Sequence, residues 1–206
     1  TMRIVASLPV VFTRLESEAL RAVLAINSGS ALSRTQIFAS FDGEGAHGDF
    51  SGLSLVDEGQ HSDITLDVTH KVANTSSSET YKAVARNRGK AVFQGRIVVA
   101  RKAQKTDAKM MSQGLMLTEG AQILCKPELE IFADDVQCGH GATCGELDAS
   151  HMFYLMSRGI ARPDASAILI RAFICELLDP IAQLEINQAL SAIIENWLAS
   201  GRENKS

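Results

Sequence analysis

Gly59-Gln60-His61-Ser62-Asp63-Ile64-Thr65-Leu66-Asp67-Val68 starts on a turn residue and passes into alternation, with Ile64, Leu66 and Val68 separated by polar neighbours. A period of two places those three side chains on one face of a strand. The same opening recurs at Gly29, Gly45, Gly89 and Gly120, so that successive glycines stand 16, 14, 30 and 31 residues apart. Turn-prone polar clusters, Asn74-Thr75-Ser76 and Gln104-Lys105-Thr106-Asp107, fill the skipped half-steps, and the step is about 15 residues throughout.

Short alternating or apolar runs lie between these turns: Asp63 to Val68, Thr80 to Val84, Ala91 to Val99, Leu115 to Leu117 and Leu129 to Phe132. They carry the β-branched residues that strands favour, and each is too short to stand alone. A strand, a turn and a return strand repeated at a fixed step bury an inward face only against the next copy, which is the logic of a β-solenoid. Residues 1–146 are therefore predicted to be stacked coils of about 30 residues, making the chain mainly β. A β-sandwich is the alternative, since its strands also recur at about 8 to 12 residues. His47 and His61 share one slot of the repeat and read as solvent-side polar residues on adjacent strands, not as a metal pair.

After Gly145-Glu146-Leu147 the pattern turns helical, so residues 147–206 form a separate C-terminal helical region in this reading. Asp148 suits the N-cap of a helix through Phe153 and Leu155 that Gly159 ends. Pro163 suits the first turn of a second helix, with Ile170, Phe173, Ile174, Leu177 and Leu178 on one face. A third is expected from near Pro180, with Leu190, Ile193, Ile194, Trp197 and Leu198 in phase and Gly201 as its stop. Three such helices are expected to plug the last coil, whose open strands need cover; a docking groove for a partner is the sharper alternative.

Composition narrows the classes. Hydrophobic residues make up 46% and charged residues 21%, an ordinary globular balance. The longest apolar run, Ala165 to Leu178, is broken by Arg171 and Glu176 and falls short of the roughly 20 residues that span a bilayer. With no signal-peptide pattern at the start, a cytoplasmic address is expected. A net charge of −4 and no basic run argue against nucleic acid. Cys125, Cys138, Cys144 and Cys175 show no disulfide spacing and read as thiols, with Cys125 and Cys175 as small core residues. Thr1 ahead of Met2 leads to the expectation that the chain is a segment of a longer parent.

Chemistry has one obvious home, Cys138-Gly139-His140-Gly141-Ala142-Thr143-Cys144, where thiol and imidazole ligands gather. These suit zinc or iron–sulfur clusters. Glycines on both sides leave the His140 imidazole on a permissive backbone, fit for an exposed ligand or for a tight turn. Asp134 and Asp135, consecutive residues, are expected to point to opposite faces and not to pair as acid and base. A structural zinc site of Cys138, His140 and Cys144, and a β-helix lyase or transferase using His140 as base, stand as alternative functions.

Longer motifs run in order along the chain: Gly95-Arg96-Ile97-Val98-Val99, Ala103-Gln104-Lys105-Thr106-Asp107, Lys126-Pro127-Glu128-Leu129-Glu130-Ile131-Phe132-Ala133-Asp134-Asp135-Val136 with Cys138-Gly139-His140-Gly141-Ala142-Thr143, and Phe153-Tyr154-Leu155-Met156-Ser157-Arg158-Gly159-Ile160. From about Gly45 to Phe173 the chain resembles the SufB/SufD family of iron–sulfur cluster assembly proteins. Gly141 stands where the SufB branch has Glu, and Ser112 lies near the place of that branch's cysteine, so the likeness is to the SufD branch. Met110, Met111, Cys125 and Cys144 depart from the usual pattern.

The resemblance implies a right-handed parallel β-helix with a C-terminal helical region. It implies a non-catalytic scaffold of the SUF system, joined to a SufB-like subunit through the last strands and to a SufC-like ATPase through the C-terminal helices, or a homodimer in isolation. His140, with Cys138, is then expected at the assembly site of a transient iron–sulfur cluster shared with the partner. Arg158, Gly159 and Phe173 are expected to bind partners.

Overall fold

Alternation between turns spaced by a constant step produces strands that stack on their own repeats. The computed structural model describes residues 6–178 and 184–203. The described strands are β1 (Ala6–Ser7), β2 (Val10–Leu15), β3 (Leu20–Ser28), β4 (Leu32–Phe41), β5 (His47–Val56), β6 (His61–His70), β7 (Ser76–Ala85), β8 (Lys90–Val99), β9 (Asp107–Met116), β10 (Gln122–Ile131) and β11 (Gln137–Gly145). They are followed by helices α1 (Ala149–Ser157), α2 (Arg162–Leu178) and α3 (Leu184–Glu203).

Even strands β4, β6, β8 and β10 build one sheet, with β1 and β2 on β4; odd strands β3, β5, β7, β9 and β11 build the other. Every pairing is parallel, as in His61↔Lys90 and Ser76↔Asp107. Consecutive strands thus cross from one sheet to the other and each coil lands on the last, a parallel β-solenoid and not a sandwich. The strands are longer than the apolar runs alone suggest. Leu115–Leu117 overlaps only the end of β9, and Leu129–Phe132 only the end of β10, because the neighbouring rung recruits the polar residues before them.

The turns stack too. Gly45 N–H donates to the Asn74 carbonyl (3.0 Å), and Asn74 N–H donates to that of Gln104 (2.9 Å). Asn74 and Lys105 take the left-handed conformation at φ 55° and 64°, as Gly45 does at 73°. Gly89 and Gly120 do not; there the glycine admits a close neighbour, since a Cβ on Gly89 would lie 2.8 Å from the Val56 carbonyl carbon.

Between the sheets lie Ile37, Phe41, Phe50, Ile64, Leu66, Val68, Ile97 and Val99, all fully buried. Polar side chains in this interior bond to one another: His70 Nδ1 meets Thr75 Oγ1 at 2.8 Å and its Nε2 meets Ser77 Oγ at 3.0 Å. Burial holds His70 at a pKa of about 4, so it is neutral.

The Asp148 carboxylate caps α1 by accepting from His151 N–H at 2.9 Å, and Gly159 follows its end at φ 84°. Pro163 lies in the first turn of α2. The region around Pro180 lies outside the described residues. Two expectations are corrected. Gly201 does not stop α3, which runs to Glu203; its missing side chain makes room for the Arg86 guanidinium. Nor do the helices plug the last coil. Ile170, Ile174, Leu177, Leu190, Ile194, Trp197 and Leu198 pack on the outer face of the odd-strand sheet, over Leu53, Leu55, Val84 and Leu115. Lys82, almost wholly buried there, donates to the Phe173 carbonyl (2.6 Å) and to Glu176 (2.5 Å). No helix among the described residues is long and apolar enough to cross a membrane.

Candidate functional site

With the helices on its flank, the solenoid ends in an open rung. β10 pairs only with β8, and β11 only with β9, so each leaves one edge without a strand among the described residues. Such edges are templates for another strand. Apolar surface is open around them: Leu124 is 51% and Phe132 58% exposed.

Register fixes which side chains of this rung point inward. Cys138, His140, Ala142 and Cys144 continue the columns of Ala108, Met110, Ser112 and Gly114, which line the interior. Cys125 continues Phe93. His140 therefore stands at the mouth of the solenoid, exposed, in the column Phe50, Glu79, Met110, His140. A Cβ on Gly139 would meet nothing, so the backbone before the imidazole is uncovered.

Cys138 is half-buried against the core, with its Sγ 4.0 Å from the Thr106 carbonyl oxygen. Burial pushes its thiol above the usual range, so it is protonated at neutral pH. Two residues along one strand separate it from His140, roughly 6.6 Å at the backbone, so both side chains lie on the inward face; bonds of about 2.3 Å to sulfur and 2.0 Å to nitrogen reach across one ion only if the two side chains turn toward each other. Cys144 is different: six residues along the strand place it about 20 Å from Cys138. One zinc ion cannot take Cys138, His140 and Cys144 together, which removes the structural zinc alternative. Among the described residues no three His, Cys, Asp or Glu side chains gather to hold a metal ion.

Asp134 and Asp135 are in the turn before β11, not in a strand. Asp135 anchors that turn: its N–H donates to Gln104 Oε1 (2.9 Å), its carboxylate pairs with Lys105, and its carbonyl accepts from Lys105 N–H (2.6 Å). This fixes where β11 begins and hence where His140 stands. His47, at the start of β5, meets Ser76 Oγ at 2.8 Å and Asp49 at 3.2 Å.

On the helical side, Arg158 closes α1 and its guanidinium lies 5.2 Å from the Tyr154 ring centre. Around it Phe153, Tyr154 and Met156 are exposed. Phe173 faces the solenoid, with Lys82 Nζ 4.4 Å from its ring centre. Sequence reasoning missed two features of the mouth. Cys125 is not a plain core residue: its Sγ lies 4.0 Å from that of Cys144. Glu79 is wholly buried in the His140 column, and burial, opposed by the Ser77 hydroxyl and aided by Asp49, raises its pKa to about 8. Counting alternate residues from the turns would have put both on the inward face.

Residues 5–173 match the family model described as the SUF system FeS cluster assembly, SufBD core domain. The chain is 35% identical over 173 residues to the iron–sulfur cluster assembly protein SufD of Escherichia coli, covering 84% of this chain and 41% of that protein. It is 36% identical over 162 residues to a SufBD family protein of Synechocystis, covering 78% and 36%. To one of Mycobacterium leprae it is 30% identical over 192 residues, covering 89% and 49%. The chain thus spans less than half the length of each of these relatives.

Proposed function

The chain belongs to the SufBD family of iron–sulfur cluster assembly proteins of the SUF system, and from that premise we propose that it is a scaffold subunit whose open rung adds to a SufB-like partner and presents His140 to a nascent cluster. The observation that carries this reading is the position of His140: inward-facing, exposed, and on the terminal edge strand β11. A partner's strands continuing β10 and β11 would bury Leu124 and Phe132 and close the mouth over the imidazole.

In this proposal the cluster is cargo, not a resident cofactor. His140 supplies one nitrogen ligand, Cys138 stands two residues before it on the same face of the strand, and thiolate from the SufB-like subunit completes the set. Neutral imidazole donates less charge than thiolate, and a mixed site holds the cluster at a higher potential. The chain catalyses no reaction of its own. The exposed Phe153, Tyr154 and Met156 beside Arg158 and Gly159 offer a docking surface for a SufC-like ATPase, while Phe173, held by Lys82, fixes α2 to the solenoid beneath it.

Anaerobic reconstitution with iron and sulfide, with SufB-like and SufC-like partners present, tests the reading through visible absorption and bound iron. The wild-type complex is expected to build a cluster and His140→Ala to fall well short of it. Equal assembly by the variant would remove His140 from the site.

A further inference from the structure

The mouth of the solenoid holds a second pair of potential ligands, remote from His140. Cys125 comes from β10 and Cys144 from β11, so the two thiols reach toward each other from opposite sheets across the last rung. Their sulfurs are 4.0 Å apart. Two thiolates on one tetrahedral ion with bonds of about 2.3 Å stand about 3.8 Å apart, so the pair is set within a few tenths of an ångström of that bite.

The surroundings fit the same use. Ser112 Oγ–H donates to Cys125 Sγ at 3.1 Å, a bond that strengthens when the acceptor is a thiolate. Gly114, in the column of Cys144, keeps the space clear: a Cβ there would lie 2.9 Å from Cys144 Sγ. Cys144 is exposed at the rung's open side, which gives an ion a way in. Four strand residues separate Cys144 from His140, about 13 Å, so this pair and the imidazole cannot share one ion.

We propose that Cys125 and Cys144 form a dithiolate half-site for a thiophilic divalent cation, Zn²⁺ or Fe²⁺, with its other two positions open to water or to an opposing subunit. The inference rests on the geometry of this rung and not on the role proposed for His140. Burial, with the neighbouring sulfur adding, holds the Cys144 thiol up at about 11, so metal entry displaces at least one proton at neutral pH.

Co²⁺ serves as the probe, titrated anaerobically into the reduced protein and followed by its sulfur-to-metal charge-transfer absorption. One equivalent is expected to bind, with apparent affinity rising about tenfold or more per pH unit below neutrality because of the proton released. Cys125→Ser and Cys144→Ser should each weaken binding about tenfold or more and remove the band, while Cys138→Ser and His140→Ala leave both intact. Thermal melts of the serine variants matching wild type show that lost ligation is not lost folding. A band that survives in both variants, or that Cys138→Ser also abolishes, overturns the assignment. So does a reduced protein that takes up no Co²⁺ yet forms a Cys125–Cys144 disulfide with mild peroxide on peptide mapping, which would make the pair a redox device instead.

Discussion

Met110 and His140 are register partners on β9 and β11, consecutive in one inward column, yet Met110 is 2% exposed and His140 lies open at the mouth. The two positions therefore separate stability from function. Met110→Ala is expected to cost about 2 to 4 kcal/mol in urea unfolding, because it empties a packed core site. His140→Ala, which removes an exposed ring, is expected to stay within about 0.5 kcal/mol of wild type. Only the second should impair cluster assembly in the partner complex while the protein stays folded.

Glu79, two rungs in from His140, gives the interior a pH dependence of definite sign. Its folded pKa of about 8 lies above the ordinary glutamate value of 4.5, so between those values the folded state holds a proton that the unfolded state has released. The stabilisation is complete below pH 4.5 and is lost as pH rises toward 8, by roughly 4 kcal/mol between pH 5 and 8. Glu79→Gln should remove that slope. Urea midpoints measured from pH 5 to 9 for both proteins check it; parallel curves would show that the carboxyl is not held neutral.

His70 acts on the other limb. Its folded pKa of about 4 lies below the ordinary histidine value of 6.5, so the unfolded state binds the extra proton between them. The stability it contributes is present above pH 6.5 and falls as pH drops toward 4, by roughly 3 kcal/mol. His70→Gln, which retains hydrogen-bonding capacity toward Thr75 and Ser77, should flatten the acid limb in unfolding measured at pH 4, 5, 6 and 7.

The solenoid was legible because its turn residues keep a constant step and because Ile64, Leu66 and Val68 alternate cleanly. The cap at Asp148 and the stop at Gly159 were legible because local chemistry decides helix ends. Strands β9 and β10 were read too short: their strand state is imposed by the rung beneath, not by their own residues. The docking of the helices was missed although Leu53 and Leu55 signal it. They break the alternation of β5, and a strand apolar on both faces is covered on both faces. Gly201 misled because a glycine near a helix end is also the residue that admits a guanidinium. Of the mouth, His140 was visible within its motif, whereas Cys125 and Cys144 meet only once the rung is closed in three dimensions.

The helical flank should detach without taking the solenoid with it. Trp197 lies under Arg86, whose guanidinium carbon is 4.0 Å from the ring centre, and that arginine is tied to Asp57 and to Ser200 Oγ. Trp197→Ala is expected to lower the protection of α3 amides by about 3 kcal/mol in hydrogen exchange while β6 and β8 keep theirs. Equal loss in the strands would mean that solenoid and helices unfold as one unit.

Partner addition at the open rung makes its own demand on exchange rates. β10 and β11 each have one neighbour where β6, β7, β8 and β9 have two, so in the isolated chain their edge amides exchange with solvent while those of inner strands are locked in ladders. Mixing with a SufB-like subunit should slow β10 and β11 selectively and leave the outer face of the even-strand sheet, around Asp67 and Arg96, unchanged. Slowing confined to α1, with β10 and β11 still exchanging freely, would place the partner on the helices and leave His140 outside the joint. Slowing in the edge strands of the chain alone, rising with its concentration, would identify a second copy as the strand donor; sedimentation of the same samples would then show a dimer.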